Sequence, residues 1–214
     1  MTNEEYKKMS IKEFTKAARN YESDHAGIYN MCKKDYPDVL EELEKEQFLE
    51  LLDAGCGPAP MITLLSEKYP DRHYTGLDLT PAMIEQAKKK NISNAEFVVG
   101  DCENFPFEDN SFDAIICVNS FHHYPNPQAF FNSVKRCLRK GGRLILRDMT
   151  SNNKFIVWIV DKIELPLANI CGHGDVKMAT RKTVIECCKK AGLKVEKIEV
   201  RKGMRMHCVI RKID

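Results

Sequence analysis

Neither sign of charge dominates this sequence: 33 Lys and Arg stand against 31 Asp and Glu, a net of +2. A protein that grips nucleic acid or an anionic membrane needs a basic surplus, so neither partner is expected and a small molecule is favoured. The densest basic run, Lys88-Lys89-Lys90, closes an expected helix, where cations suit the macrodipole and need no ligand to explain them. Long apolar runs are also missing. The longest, Phe155 to Val160, falls far short of the ~20 residues that cross a bilayer, and no stable membrane insertion is expected. That run holds the single tryptophan, Trp158, and reads as the wall of an apolar acceptor pocket, a dimer contact or, ranked last because no basic face accompanies it, a membrane-surface contact; the protein is expected to be a monomer or homodimer. Met1 to Glu5 lack the basic-then-apolar pattern of an export signal, so a cytoplasmic setting is expected. The nine cysteines are odd in number and form no Cys-x-x-Cys pair. Several (Cys117, Cys137, Cys208) fall at apolar positions, so they read as reduced core residues. Repeats and low-complexity segments are absent.

What is present is an alternation of apolar runs and helical patterns, the mark of a largely parallel sheet covered on both faces. Strands are expected at Phe48–Asp53, His73–Asp78, Ala95–Gly100, Phe112–Val118 and Leu144–Arg147. Between them lie helices opened by Pro60, by Thr80-Pro81 and near Pro127, the last running to Arg139 and stopped by Gly141-Gly142. A helix capped by Thr180 and ended by Gly192 leads to two runs, Leu193–Val200 and Met204–Arg211, too tightly joined at Gly203 to be anything but antiparallel. The expected fold is a doubly wound, seven-stranded mixed α/β sheet, Rossmann-like, with its last strand antiparallel. Residues 1–47 form an N-terminal helical cap, 48–148 the ligand-binding core, 149–179 a helical lid broken at Pro166, and 180–214 the elements that complete the sheet, all in a single domain overall.

In such a sheet ligands lie beyond the carboxyl ends of the strands, so residues just past each strand are candidates. Gly55 and Gly57 in Asp53-Ala54-Gly55-Cys56-Gly57 let the chain turn sharply and leave main-chain amides open to close approach. Asp53 before that turn repels a pyrophosphate and suits a ligand bearing an ammonium group. Asp78 stands 78 − 55 = 23 positions after Gly55, near the ~20 at which an acid takes ribose hydroxyls. Asp101 suits an adenine amino group and the Cys102 amide the ring, while Leu79 and Met83 offer apolar faces to the base.

The succession Leu51-Leu52-Asp53-Ala54-Gly55-Cys56-Gly57, Gly76-Leu77-Asp78-Leu79-Thr80-Pro81-Ala82-Met83, Gly100-Asp101-Cys102-Glu103-Asn104-Phe105-Pro106-Phe107 and Ser111-Phe112-Asp113 closely resembles the class I S-adenosylmethionine-dependent methyltransferases. Phe121-His122-His123-Tyr124 and Leu138-Arg139-Lys140-Gly141-Gly142 resemble the methyltransferase type 11 branch that includes quinone-biosynthesis enzymes. The resemblance covers about Phe48 to Asp148. It implies S-adenosyl-L-methionine as cofactor and S-adenosyl-L-homocysteine as product. It further implies Asp53 near the methionine ammonium and the amides around Gly55, Cys56 and Gly57 along the methionine part. Asp78 would lie on the ribose, Asp101 and Cys102 at the adenine, and Asn119 beside the methionine. Tyr21, in a segment weakly similar to the family's N-terminus, is implied to reach the cofactor. One departure stands out: the third glycine of the family's turn is Ala59 here, preceded by Pro58, which removes an amide donor.

The expected reaction is methyl transfer to a small acceptor held in line behind the sulfonium methyl. His122 and His123, just past the fourth strand, are the candidate bases. No carboxylate or cysteine is spaced with them as a metal set, so no metal is expected. A nicotinamide-dependent oxidoreductase is the rival from another class, but Pro60 stands where Gly-x-Gly-x-x-Gly needs its last glycine. A non-catalytic S-adenosylmethionine-binding protein is the other alternative.

Overall fold

The computed structural model describes residues 1–23, 27–170 and 172–214. Seven strands form one sheet in the order β3-β2-β1-β4-β5-β7-β6. They are β1 Glu50–Ala54, β2 His73–Asp78, β3 Ala95–Val99, β4 Phe112–Val118, β5 Leu138–Met149, β6 Lys194–Arg201 and β7 Arg205–Arg211. The first five pair in parallel, whereas β7 runs antiparallel to both β5 and β6. Strand order reverses beside β1, whose neighbours are β2 and β4, so a crevice opens there at the carboxyl ends.

The strands are apolar on both faces because both faces are covered. Leu52, Ile115, Cys117, Leu144 and Leu146 pack under α6 (Pro127–Cys137) and α9 (Arg181–Ala191). Their neighbours Leu51, Ala114, Ile116 and Ile145 pack under α3 (Tyr36–Glu44), α4 (Pro60–Lys68) and α5 (Pro81–Lys89). The period of two divides each strand between two cores. Eight cysteines are buried and free, in line with the reduced state expected of them; Cys171 lies outside the described residues.

Helix ends follow local chemistry. Thr180 Oγ1 accepts the Thr183 amide and Gly192 closes α9 at φ 71°. Ala59 precedes α4 at φ 61°, holding the left-handed geometry that the third glycine of the motif would supply, with its methyl fully buried.

Three expectations are corrected. Helix α6 ends at Cys137, not at Gly141-Gly142, because Leu138 is already extended and pairs with Phe112; the glycines lie in a bulge of β5 between that pair and Ala114↔Arg143. Thr80 forms no side-chain cap on α5; its own amide donates instead to Asp78. Pro166 does not break the lid helix. Residues 154–170 run on through α7 (Lys154–Ile159), a π-turn (Val160–Glu164) and α8 (Leu165–Ile170), and the wider turn just ahead of Pro166 absorbs its missing amide hydrogen. Over the crevice lie α1 (Asn3–Ala17) and α2 (Gly27–Cys32).

Candidate functional site

Each strand entering the crevice delivers one polar residue at its tip. Behind β1 the chain turns through Gly55 at φ 82° and Gly57 at φ 54°. A Cβ on Gly55 would meet Ser120 Oγ at 2.0 Å, so glycine there is a steric requirement. From the tip of β2, Asp78 accepts the Gly57 amide at 2.9 Å and the Thr80 amide at 2.8 Å, tying the glycine turn to the neighbouring strand. Two contiguous clefts result. One is lined by Tyr21, Asp53, Gly55, Cys56, Gly57, Asp78, Met83 and Asn119, and the other by Gly55, Asp78, Leu79, Asp101 and Cys102. The cofactor-site residues expected from sequence therefore all stand on one continuous surface.

The electrostatics of this surface are unbalanced. Asp53 is buried and Asp78 half-buried, and among the described residues neither has a cationic side-chain partner. Burial first, and then the charge of Asp78, pushes the Asp53 carboxyl up to about 7. Asp78 is also raised by burial, held back by the two amides it accepts. A site of this kind gains when a cation enters.

Two expected contacts are already engaged. Asp101 Oδ2 takes a salt bridge from Lys7 at 2.7 Å, and Oδ1 accepts the Glu103 amide. Asn119 donates to Asp35 and accepts from Arg205, so its side chain belongs to a polar network behind the cleft. Tyr21 lies against Cys32, its hydroxyl 3.9 Å from the sulfur.

A third, larger cavity of about 190 Å³ adjoins the first. Its walls include Phe14, Met31, Met149, Val160, Leu165 and Met178, with His122, His123, Asp175 and Arg205 as polar groups. Phe14 and His123 border all three spaces and pack edge to face, ring centroids 5.1 Å apart. His122 borders only the third. Its Nδ1 lies 2.8 Å from the fully buried Asp148, and its Nε2 lies 3.5 Å from Asp175. Burial alone would lower both imidazoles, but Asp148 and Asp175 hold His122 protonated above neutrality, and the resulting charge drives His123 lower still. Asp175 Oδ1 is also 3.3 Å from His123 Nδ1. The expectation that no carboxylate stands with these histidines is thus corrected: residue 175 is distant in sequence, and the lid loop brings it in.

That loop is clasped by α1. Glu13 meets His173 and the Gly174 amide, and Ser10 Oγ donates to the Gly174 carbonyl. Lys7, Phe14, Tyr124 and Asp175 were not singled out as site residues from sequence. Only Phe14 and Tyr124 carried a usable signal, the first sharing helical spacing with Tyr21 and the second following the histidine pair.

Comparison with known proteins agrees with this geometry. A family model described as a methyltransferase domain matches residues 52–146. The phthiotriol/phenolphthiotriol dimycocerosates methyltransferase of Mycobacterium tuberculosis is 36% identical over 122 residues, 56% of this chain and 45% of that protein. The demethylmenaquinone methyltransferase of Thermotoga maritima is 30% identical over 151 residues, 69% of this chain and 64% of that protein. The chain spans about half the length of the first of these relatives. A solved structure of a putative methyltransferase from Bacillus halodurans superposes with a TM-score of 0.71 at 18% identity, over 85% of this chain and all of that one, and so shares the fold. No described helix is long and apolar enough to cross a membrane.

Proposed function

We propose, from the match of residues 52–146 to a methyltransferase domain, that the protein moves a methyl group from S-adenosyl-L-methionine to a small acceptor with an apolar body and an ionisable polar head. One observation carries the cofactor assignment: two carboxylates in one cleft, Asp53 buried and Asp78 half-buried, with no cationic side-chain partner among the described residues. S-adenosylmethionine fits because its amino-acid end bears an ammonium and its sulfur a positive charge, while its ribose offers hydroxyls to the free lone pairs of Asp78. When bound, the sulfonium supplies a methyl group already activated for displacement.

The chain's own work is then to align and to dry. The glycine turn and Asp78 fix one partner, and the roof of Phe14 and Tyr21 separates it from bulk water; such alignment is worth up to ~7–11 kcal/mol. His123 borders both the cofactor cleft and the third cavity, so it is the side chain set to meet the acceptor's nucleophilic atom. Met31, Met149, Val160, Leu165 and Met178 favour an apolar acceptor body. The two relatives named above carry lipophilic acceptors in their names, which supports the same class. The test is incubation of the purified protein with methyl-labelled S-adenosylmethionine and a total lipid extract. Label in one or a few lipid species is expected; label in none, with cofactor binding intact, would sink the acceptor assignment.

A further inference from the structure

We propose that His122, His123 and Asp175 form a binding site for one divalent ion of the zinc, cobalt or iron(II) class, open toward the acceptor cavity. The inference deepens the acceptor reading above and rests on it for its role, though not for its existence.

One donor atom from each residue, two imidazole nitrogens and a carboxylate oxygen, lies within 4.8 Å of the others. The separations are telling. His122 Nε2 and His123 Nδ1 lie 3.5 and 3.3 Å from Asp175 Oδ1, too long for well-made hydrogen bonds. Two donors each about 2.1 Å from a shared tetrahedral or octahedral ion stand about 3.0–3.4 Å apart, close to what is seen. His123 Nδ1 is buried and makes no hydrogen bond, an unpaired polar atom that folding leaves at a cost unless something occupies it.

The surroundings match a metal site as well. His122 turns its Nδ1 to Asp148, which is fully buried and also accepts the His122 amide. A carboxylate behind a histidine fixes the ring and leaves Nε2 as the ligand nitrogen. An entering dication would displace the His122 proton, and with both imidazoles then neutral its charge would balance the carboxylates of Asp148 and Asp175. Nitrogen–nitrogen–oxygen donors suit borderline ions rather than magnesium or calcium, and three protein ligands leave positions free for an incoming oxygen.

His122, His123 and Asp175 all line the cavity proposed for the acceptor, so an ion held by them would be reached from it. An acceptor hydroxyl bound there loses its proton to solvent water more readily. Its oxygen then forms a bond to the methyl carbon as the carbon–sulfur bond breaks and sulfur keeps the electron pair.

The experiment is titration of chelator-treated protein with cobalt(II) alone, read by visible absorption and calorimetry. One equivalent bound with a Kd of about 10 μM or tighter, with d–d bands, is expected. Asp175→Asn and His123→Ala should each abolish the bands, and Asp148→Asn should weaken binding by about 10–100-fold. Binding of S-adenosylmethionine is measured on the same samples and should change less than about threefold in Asp175→Asn, which shows that the variant is folded. Absence of stoichiometric cobalt binding to the wild type, or unchanged binding in Asp175→Asn, overturns the site. Loss of S-adenosylmethionine binding in the wild type would instead overturn the cofactor reading and leave the metal result standing.

Discussion

Asp53 and Asp78 line one cleft, and the charge of Asp78 adds to burial in raising Asp53. The pair is a standing cost in the empty protein and a source of affinity in the loaded one. Folding raises the Asp53 carboxyl from 3.8 to about 7, so the folded state binds more protons than the unfolded one. Stability without ligand therefore falls as pH rises from about 4 to about 7, and the cost is fully present above 7. Asp53→Asn is expected to stabilise the ligand-free protein at pH 8 by on the order of 2–4 kcal/mol, measured by denaturant unfolding. The same change should weaken S-adenosylmethionine binding by at least about 100-fold.

Binding should also follow pH in the wild type. Below about pH 7 Asp53 must shed its proton before it can hold an ammonium, so affinity should drop by about tenfold per unit. Calorimetry in two buffers of different ionisation enthalpy will report the proton released. An affinity that stays flat from pH 5.5 to 7 would show that Asp53 does not face the positive charge.

The glycine turn makes a second, graded prediction. At Gly55 a Cβ would lie 2.0 Å from Ser120 Oγ, 2.5 Å from Ser120 Cβ and 2.9 Å from the Tyr124 hydroxyl, whereas at Gly57 it meets nothing within 4 Å. Gly55→Ala should abolish cofactor binding or folding. Gly57→Ala should cost only the about 1–2 kcal/mol of a left-handed non-glycine residue, a strain Ala59 already bears two positions on. Thermal melts of the two variants side by side will separate the outcomes.

The parts of this molecule that were legible in sequence are those whose cause is local. The apolar run Phe112–Val118 gave β4 its limits, and the acids and glycines at strand tips located the cofactor cleft, because a parallel sheet sends every strand end to one side. Asp175 was not legible, since nothing near it announces that Ser10 and Glu13 of α1 will draw its loop over the histidines. Lys7 was hidden for the same reason. The start of β5 is not legible locally, because a glycine pair after a helix looks like a cap and only the long-range pairing of Leu138 with Phe112 makes it a bulge.

Lys7 ties α1 to the adenine end of the cleft, 2.7 Å from Asp101 and 2.5 Å from Glu103, whose side chain is only 7% exposed. Lys7→Met leaves that buried carboxylate without its cation and should cost about 1–2 kcal/mol, a fall in Tm of about 2–8 °C. Release of S-adenosylmethionine should also quicken, because α1 holds the roof through Phe14. A stopped-flow release rate equal to wild type would mean that the roof does not depend on this tie.

Behind the acceptor cavity, Arg147 and Asp35 form an ion pair at 2.7 Å with almost no solvent contact. Arg147 also reaches Asp38 at 2.6 Å, and Asp35 extends the network through Asn119 to Arg205 on the cavity wall. Removing one member of such a pair strands the other charge, so Asp35→Ala should cost about 3 kcal/mol even with Asp38 in place. Replacing both with apolar residues, Asp35→Leu with Arg147→Met, should recover much of that loss, because the desolvation of two charges disappears with them. Arg205 and Asn119 lose an anchor in either case. The double variant should therefore show near-normal unfolding but a raised KM for the acceptor, and a double variant as unstable as Asp35→Ala would show that Asp35 acts by packing and not by charge.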